Sequence, residues 1–151
     1  MLLHDIRSSY NVGSLLRTGD TIGVTYVYFS GYTPLPVDRF KRPNKEIAKT
    51  ALGAEQTIPW RHHDGFEEVL AGAKKEGFTV IGIEQDARAR DYKKVVSSEK
   101  VLMVVGSEVE GMAPALRDGC DTLIEIPMYG EKESLNVAVA AGIALFRLFD
   151  Q

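Results

Sequence analysis

Two short stretches, residues 78–84 (FTVIGIE) and 101–106 (VLMVVG), are apolar almost without interruption. A strand with one wet face alternates apolar and polar residues, whereas a strand covered on both faces has no such need. Strands covered on both sides belong to sheets sandwiched between helices, and crossover connections make those sheets largely parallel. The rest of the chain fits that plan. Strands are expected at 2–5, 24–30, 56–60 and 122–126, from their β-branched and aromatic content. Helices are expected at 12–22, 45–52 and 137–148, and one capped by Asp64 should run to about residue 75, where Gly77 stops it. Pro114 opens a further helical turn. Residues 31–43 hold Pro34, Pro36 and Pro43 and read as a loop. The expected fold is α/β, a mostly parallel sheet with helices on both faces.

In such a sheet, ligands bind where strands hand over to helices at the carboxyl edge. Three handovers carry residues beyond what folding asks. At the first, Asn11-Val12-Gly13-Ser14-Leu15-Leu16-Arg17-Thr18 begins a helix whose apolar face is Val12, Leu15, Leu16 and Ile22. Asn11 reads as its cap, with Arg17 at the edge of the buried face. A surface arginine and an ordinary cap are the plainer reading of these residues taken alone. Gly13 and Gly19 argue for more, because glycine inside a helix costs roughly 1 kcal/mol against alanine and implies close approach of a neighbouring backbone or ligand.

The second handover, Val105-Gly106-Ser107-Glu108-Val109-Glu110-Gly111, lacks both the Gly-Lys-Ser/Thr ending of a P-loop and a G-x-G-x-x-G fingerprint. Its two carboxylates suit a cationic ligand better than a phosphate; a plain turn with solvated acids is the other reading. The third runs from Ile126-Pro127-Met128 to Ser134-Leu135-Asn136, which opens the apolar helix. Ser and Asn satisfy free N–H groups of a first helical turn, so this is a helix cap and a candidate ligand lip.

In order and spacing, the three resemble the signature motifs of the SpoU family of SPOUT-superfamily RNA 2′-O-ribose methyltransferases, and the match spans the chain. Ser107 stands where the family usually has Asn, and Ala138 where it usually has Ser. The resemblance implies a deep trefoil knot in the C-terminal third, S-adenosylmethionine held by the knot loops, and a homodimer. It implies a cofactor site from Val105, Gly106, Ser107, Gly111, Ile126, Pro127, Met128, Leu135 and Asn136. It makes Arg17 the residue that stabilises the reacting 2′-oxygen and grips the adjoining phosphate, with Asn11, Glu108, Ser134 and Asn136 orienting Arg17 and the ribose.

The remaining sequence sets limits. With 151 residues, 44% of them hydrophobic, the chain suffices for one domain with its own core. A formal net charge of −3 gives no bulk field for a polyanion. RNA would therefore meet a local patch, and residues 38–50 offer one: Arg39, Lys41, Arg42, Lys45 and Lys49 against Asp38 and Glu46, with Phe40 interleaved. A solvated charged loop is the other reading of that stretch. A chain that starts at its first strand is expected to be a single catalytic domain, 1–151, without an added RNA-binding domain, which favours tRNA over a large rRNA. Cys120 is the single cysteine, which fits a reducing cytoplasm, and it reads as a small buried residue. No signal peptide or membrane span is expected. His62 and His63 are adjacent and do not suggest a metal site; His4 reads as structural and Trp60 as packing. Two rivals remain, an RNA-binding module that has lost catalysis and a generic doubly wound nucleotide enzyme.

Overall fold

A computed structural model describes residues 1–96 and 98–149. Among the described residues, seven strands form one sheet in the order β3-β2-β1-β6-β4-β7-β5, and every neighbouring pair is parallel. They are β1 (Leu2–His4), β2 (Val27–Ser30), β3 (Trp60–His63), β4 (Thr79–Ile83), β5 (Arg90–Asp91), β6 (Val101–Val105) and β7 (Thr122–Glu125). The described residues also form the helices α1 (Ser9–Ile22), α2 (Lys45–Ala51), α3 (Ala54–Thr57), α4 (Glu67–Lys75), α5 (Pro114–Gly119) and α6 (Val137–Phe149), with a 3-10 turn at Tyr92–Lys94.

The continuous apolar runs are divided between two cores. Successive strand residues point to opposite faces, so Leu3, Ile81, Met103, Val105 and Ile124 pack with α1, α2 and α6. Leu2, Val80, Leu102, Val104 and Leu123 pack on the other face with α4 and α5. Helices thus cover both faces, as the uninterrupted runs require.

Local departures from the expected elements have local causes. Ser8, not Asn11, caps α1: its hydroxyl accepts from Asn11 N at 3.3 Å. The strand expected from Val24 starts at Val27, because Gly23 N and Val24 N close the helix end onto Asp20 O and Gly19 O. The strand expected at 56–60 is a correction as well. Leu52 closes α2, Gly53 with φ +103° opens another helical turn, and β3 begins only after Pro59, whose carbonyl accepts from Val27 N. Asp64 does not cap α4; Phe66 occupies that position with no side-chain bond. Gly13 is needed where α1 crosses α2, since a Cβ there would run into Ile47 O and Thr50 Oγ1.

Candidate active site

Because all strands run the same way, the carboxyl ends of β1, β4, β6 and β7 open onto one edge. Each is followed by an irregular stretch: 5–8, 84–89, 106–113 and 126–136. Between the last three lies a cleft of about 340 Å³, within the ~300–1,000 Å³ usual for small-molecule sites. Ile83, Val105, Ile126, Leu135 and Val137 supply apolar lining, and Glu84, Glu108, Glu110 and Glu125 supply carboxylates. Neither lysine nor arginine is among the described lining residues. A ligand combining an apolar body with positive charge fits that lining.

Glu108 ties the handovers together. Its carboxylate accepts from Arg7 N at 2.8 Å, Ser8 N at 3.1 Å and Asn11 Nδ2 at 2.8 Å. Asn11 Oδ1 in turn accepts from Asn136 Nδ2 at 3.0 Å, and Asn136 Oδ1 caps α6 by accepting from Ala138 N at 2.9 Å and Val139 N at 3.3 Å. One hydrogen-bonded chain therefore runs from the 106–111 turn through the start of α1 to the start of α6. Burial alone would push the Glu108 carboxyl up. The hydrogen bonds from Arg7, Asn11 and Ser8 outweigh burial and hold it below its ordinary value.

The 106–111 turn is fixed from within. The buried Ser107 hydroxyl accepts from Val109 N and Glu110 N, both at 3.3 Å, and meets the Tyr32 hydroxyl at 3.5 Å. Gly111 adopts φ +68°, and a Cβ there would press on the Glu84 carboxylate, which also accepts from Met112 N.

Of the residues expected at a cofactor site, Val105, Gly106, Ser107, Gly111, Ile126, Met128 and Leu135 line the cleft, while Pro127 and Asn136 do not. Ser134 lines it too, on an exposed stretch. Arg17 stands apart. Six residues beyond Asn11, it is about 9 Å along the helix and about 120° around it. It is exposed and outside the cleft lining, and its guanidinium has no hydrogen-bond or ion-pair partner among the described residues. Asn11, Glu108 and Asn136 orient one another rather than Arg17. Arg39, Lys41, Arg42 and Lys45 are all exposed on the 37–45 segment, whose Asn44 reaches Ser9 Oγ at the start of α1.

Three features escaped the sequence reading. Glu84 lies in the cleft because it follows β4, as its place one residue past an apolar run could have suggested. The N–H groups of Arg7 and Ser8 carry no sequence signal. At the end of β1, the buried His4 meets Ser30 Oγ at 2.7 Å and Asp5 Oδ2 at 3.2 Å, while Asp5 accepts from Tyr32 N. Burial lowers the His4 pKa, against the pull of Asp5 and Glu67, which fits the structural role expected of it. Burial also raises the Cys120 thiol to about 12, so it is no nucleophile at neutral pH. The described residues hold no cluster of three or more His, Cys, Asp or Glu suited to a metal, and no helix long and apolar enough to cross a membrane. A larger groove, about 560 Å³, lies at the opposite edge of the sheet among Met1, Tyr26, Phe78 and Lys100, and gathers none of the expected residues.

Comparison with known proteins concerns the chain as a whole. A model of the SpoU rRNA Methylase family matches residues 1–146. The chain is 36% identical to a 23S rRNA (guanosine-2′-O-)-methyltransferase of Ralstonia nicotianae, the match covering all of this chain and 58% of that protein. Among solved structures, an AdoMet-bound rRNA methyltransferase of Sinorhizobium meliloti superposes with a TM-score of 0.84 at 28% identity, over 97% of this chain and 53% of that one. A TrmH/SpoU tRNA modifying enzyme of A. aeolicus gives 0.83 at 26%, over 97% and 71%. The chain thus spans a little under three-fifths of the length of the curated relative it matches.

Proposed function

The chain belongs to the SpoU rRNA Methylase family, and on that premise we propose that it transfers a methyl group from S-adenosylmethionine to a ribose 2′-hydroxyl of tRNA or rRNA. The observation that carries this is the hydrogen-bonded chain Glu108–Asn11–Asn136, which joins three separated segments beside an acid-lined cleft. The names of the relatives, one an rRNA guanosine-2′-O-methyltransferase and another a tRNA modifying enzyme, support the reaction and leave both RNA classes open.

The residues fit the cofactor. The apolar lining suits an adenosine, and the carboxylates of Glu84, Glu108, Glu110 and Glu125 suit a sulfonium and an amine. When bound, S-adenosylmethionine supplies an electrophilic methyl. The protein's own task is to place a ribose oxygen in line with it and to stabilise charge developing on that oxygen. Arg17 takes the second role. It acts as a fixed positive charge that also holds the adjoining phosphate, and the proton leaves to phosphate or water. Ser134, on the lip of the cleft, and the Glu108–Asn11–Asn136 chain position the ribose.

A homodimer completes this reading. On α6 and just before it, Leu135, Val139, Ile143, Phe146 and Phe149 are exposed large apolar residues, and Val139 is 50% exposed. They recur at near-helical spacing, the pattern of an apolar face that calls for a partner. Docking a second copy there brings additional surface to each cleft, and Arg17, idle beside its own cleft, becomes available to the partner's. The deep trefoil knot belongs to the same reading. It rests on membership of the family.

The test is transfer of labelled methyl from S-adenosylmethionine to unmodified RNA, separated into small and large fractions, by wild type and Arg17→Ala. Label that protects one phosphodiester from alkali and disappears in the variant supports the proposal. A folded protein that neither binds the cofactor nor transfers label overturns it.

A further inference from the structure

The 37–43 segment is not a slack loop. A backbone bridge joins Val37 to Pro43, Asp38 N donates to Arg42 O at 3.0 Å, and Lys41 N donates to Asp38 O at 2.9 Å. The Asp38 carboxylate then accepts from Phe40 N at 2.8 Å, Arg42 N at 3.0 Å and Arg42 Nε at 2.6 Å. The result is a closed arm. Its tip holds Phe40 62% exposed, with the guanidiniums of Arg39 and Arg42 at 4.7 Å and 5.1 Å from the ring centroid.

The arm also has an address. Asn44, at its base, donates to Pro36 O at 2.8 Å and its side chain reaches Ser9 Oγ at 3.4 Å. Ser9 begins α1, two residues before Asn11. A phenylalanine left in water forgoes the burial that normally justifies one, and an arm built only for solubility has no use for it. Arg42 is paired with Asp38, whereas Arg39 and Lys41 have no ion-pair partner among the described residues.

Building on the methyltransferase reading, we propose that this arm is a preformed stacking platform for unpaired RNA beside the methylated nucleotide. The face of Phe40, or a guanidinium plane against it, receives a base, while Arg39 and Lys41 receive the phosphates on either side. Duplex RNA is the poorer fit. An A-form helix offers phosphates and 2′-hydroxyls but hides its base faces, whereas loops and bulges splay theirs out. Because Asp38 closes the arm in advance, binding need not order it. The sequence-tolerant stack would favour substrates whose target lies in a loop, whatever that loop spells.

The probe is a fluorescein-labelled RNA hairpin with a single-stranded loop, compared with its stem alone as a blunt duplex. Anisotropy titrations at several salt concentrations would use wild type, Phe40→Ala, Phe40→Trp and Arg39→Ala. Phe40→Ala should weaken hairpin binding by at least about fivefold, the low end of what one base stack contributes, with duplex binding and salt slope unchanged. Phe40→Trp should restore it. Arg39→Ala should instead lower the salt slope by about one, on both RNAs. Equal losses on hairpin and duplex, no loss in Phe40→Ala, or no RNA binding by wild type would each overturn the platform. Cofactor binding and methyl transfer by wild type, measured in parallel, report separately on the reading beneath it.

Discussion

Two carboxylates organise two turns of this molecule in opposite ways. Glu108 collects donors from Arg7, Ser8 and Asn11, about a hundred residues away in the chain. Asp38 collects donors from Phe40 and Arg42, two and four residues away. The chemistry is the same, a carboxylate accepting several N–H groups. The dependence on the fold is not. The Glu108 contacts exist only when β1, α1 and β6 are already in place, while the Asp38 turn closes by itself. Breaking Glu108 should therefore disturb the cleft and the whole domain, and breaking Asp38 should disturb only the arm.

Glu108→Gln is the severest test of that contrast. A glutamine keeps the size but replaces one acceptor oxygen with an amide donor facing three N–H groups. With partial exposure discounted, the expected loss in folding free energy is about 1–3 kcal/mol, read by urea unfolding, with methyl transfer falling at least about a hundredfold from the misplaced start of α1. A variant that unfolds and transfers methyl like wild type would reduce Glu108 to a solvated acid.

The second test separates the two jobs of Asn136. Asn136→Ala removes both the α6 cap and the bond to Asn11, and should cost about 1–2 kcal/mol. Asn136→Asp keeps an acceptor for Ala138 N and Val139 N but loses the donor to Asn11. It should recover most of the stability and little of the cofactor affinity. If Asn136→Asp bound cofactor as wild type does, the link to Asn11 would be incidental.

The same contrast explains what could be read in advance. Residues 101–106 announced a doubly covered strand because burial on both faces is a local property of composition, and Asn136 announced a cap because its donors are two and three residues away. Asn11 reads as a cap for the same local reason. That reading failed because Ser8, three residues earlier, supplies the cap and leaves Asn11 free to reach Glu108. The carboxylate of Glu84 on Gly111 and the apposition of His4 with Ser30 depend on which strands become neighbours. Strand order β1-β6-β4 is a property of the assembled sheet, and no window of sequence contains it. The place of Arg17 outside the cleft lining is equally illegible, since helical spacing fixes where a side chain leaves its own helix but not which cleft it meets.

For the arm, Asp38→Ala should leave the urea midpoint where wild type has it. Hairpin RNA affinity should still fall, because the arm must then be ordered on binding. A drop in global stability would mean the arm is part of the core fold, and the contrast with Glu108 would fail.

Acid provides the smallest and most discriminating comparison, because both carboxyls are held low in the folded protein. For Glu108, hydrogen bonds overcome the upward push of burial; for Asp38, the leading cause is the bond from Arg42 N. A carboxyl whose folded pKa lies below its unfolded value binds fewer protons in the folded state. For Glu108 that stabilisation is complete above the unfolded value, 4.5, and is lost as pH falls from there through the depressed folded pKa. The bonds that hold Asp38 low span only residues 38–42 and form in the unfolded chain as well, so its titration should not register in unfolding. Between neutrality and about pH 3, wild type should lose stability faster than Glu108→Gln, while Asp38→Ala should track wild type throughout. Curves for Glu108→Gln and wild type that stay parallel would show that the long-range turn holds its carboxylate no more tightly than the unfolded chain does.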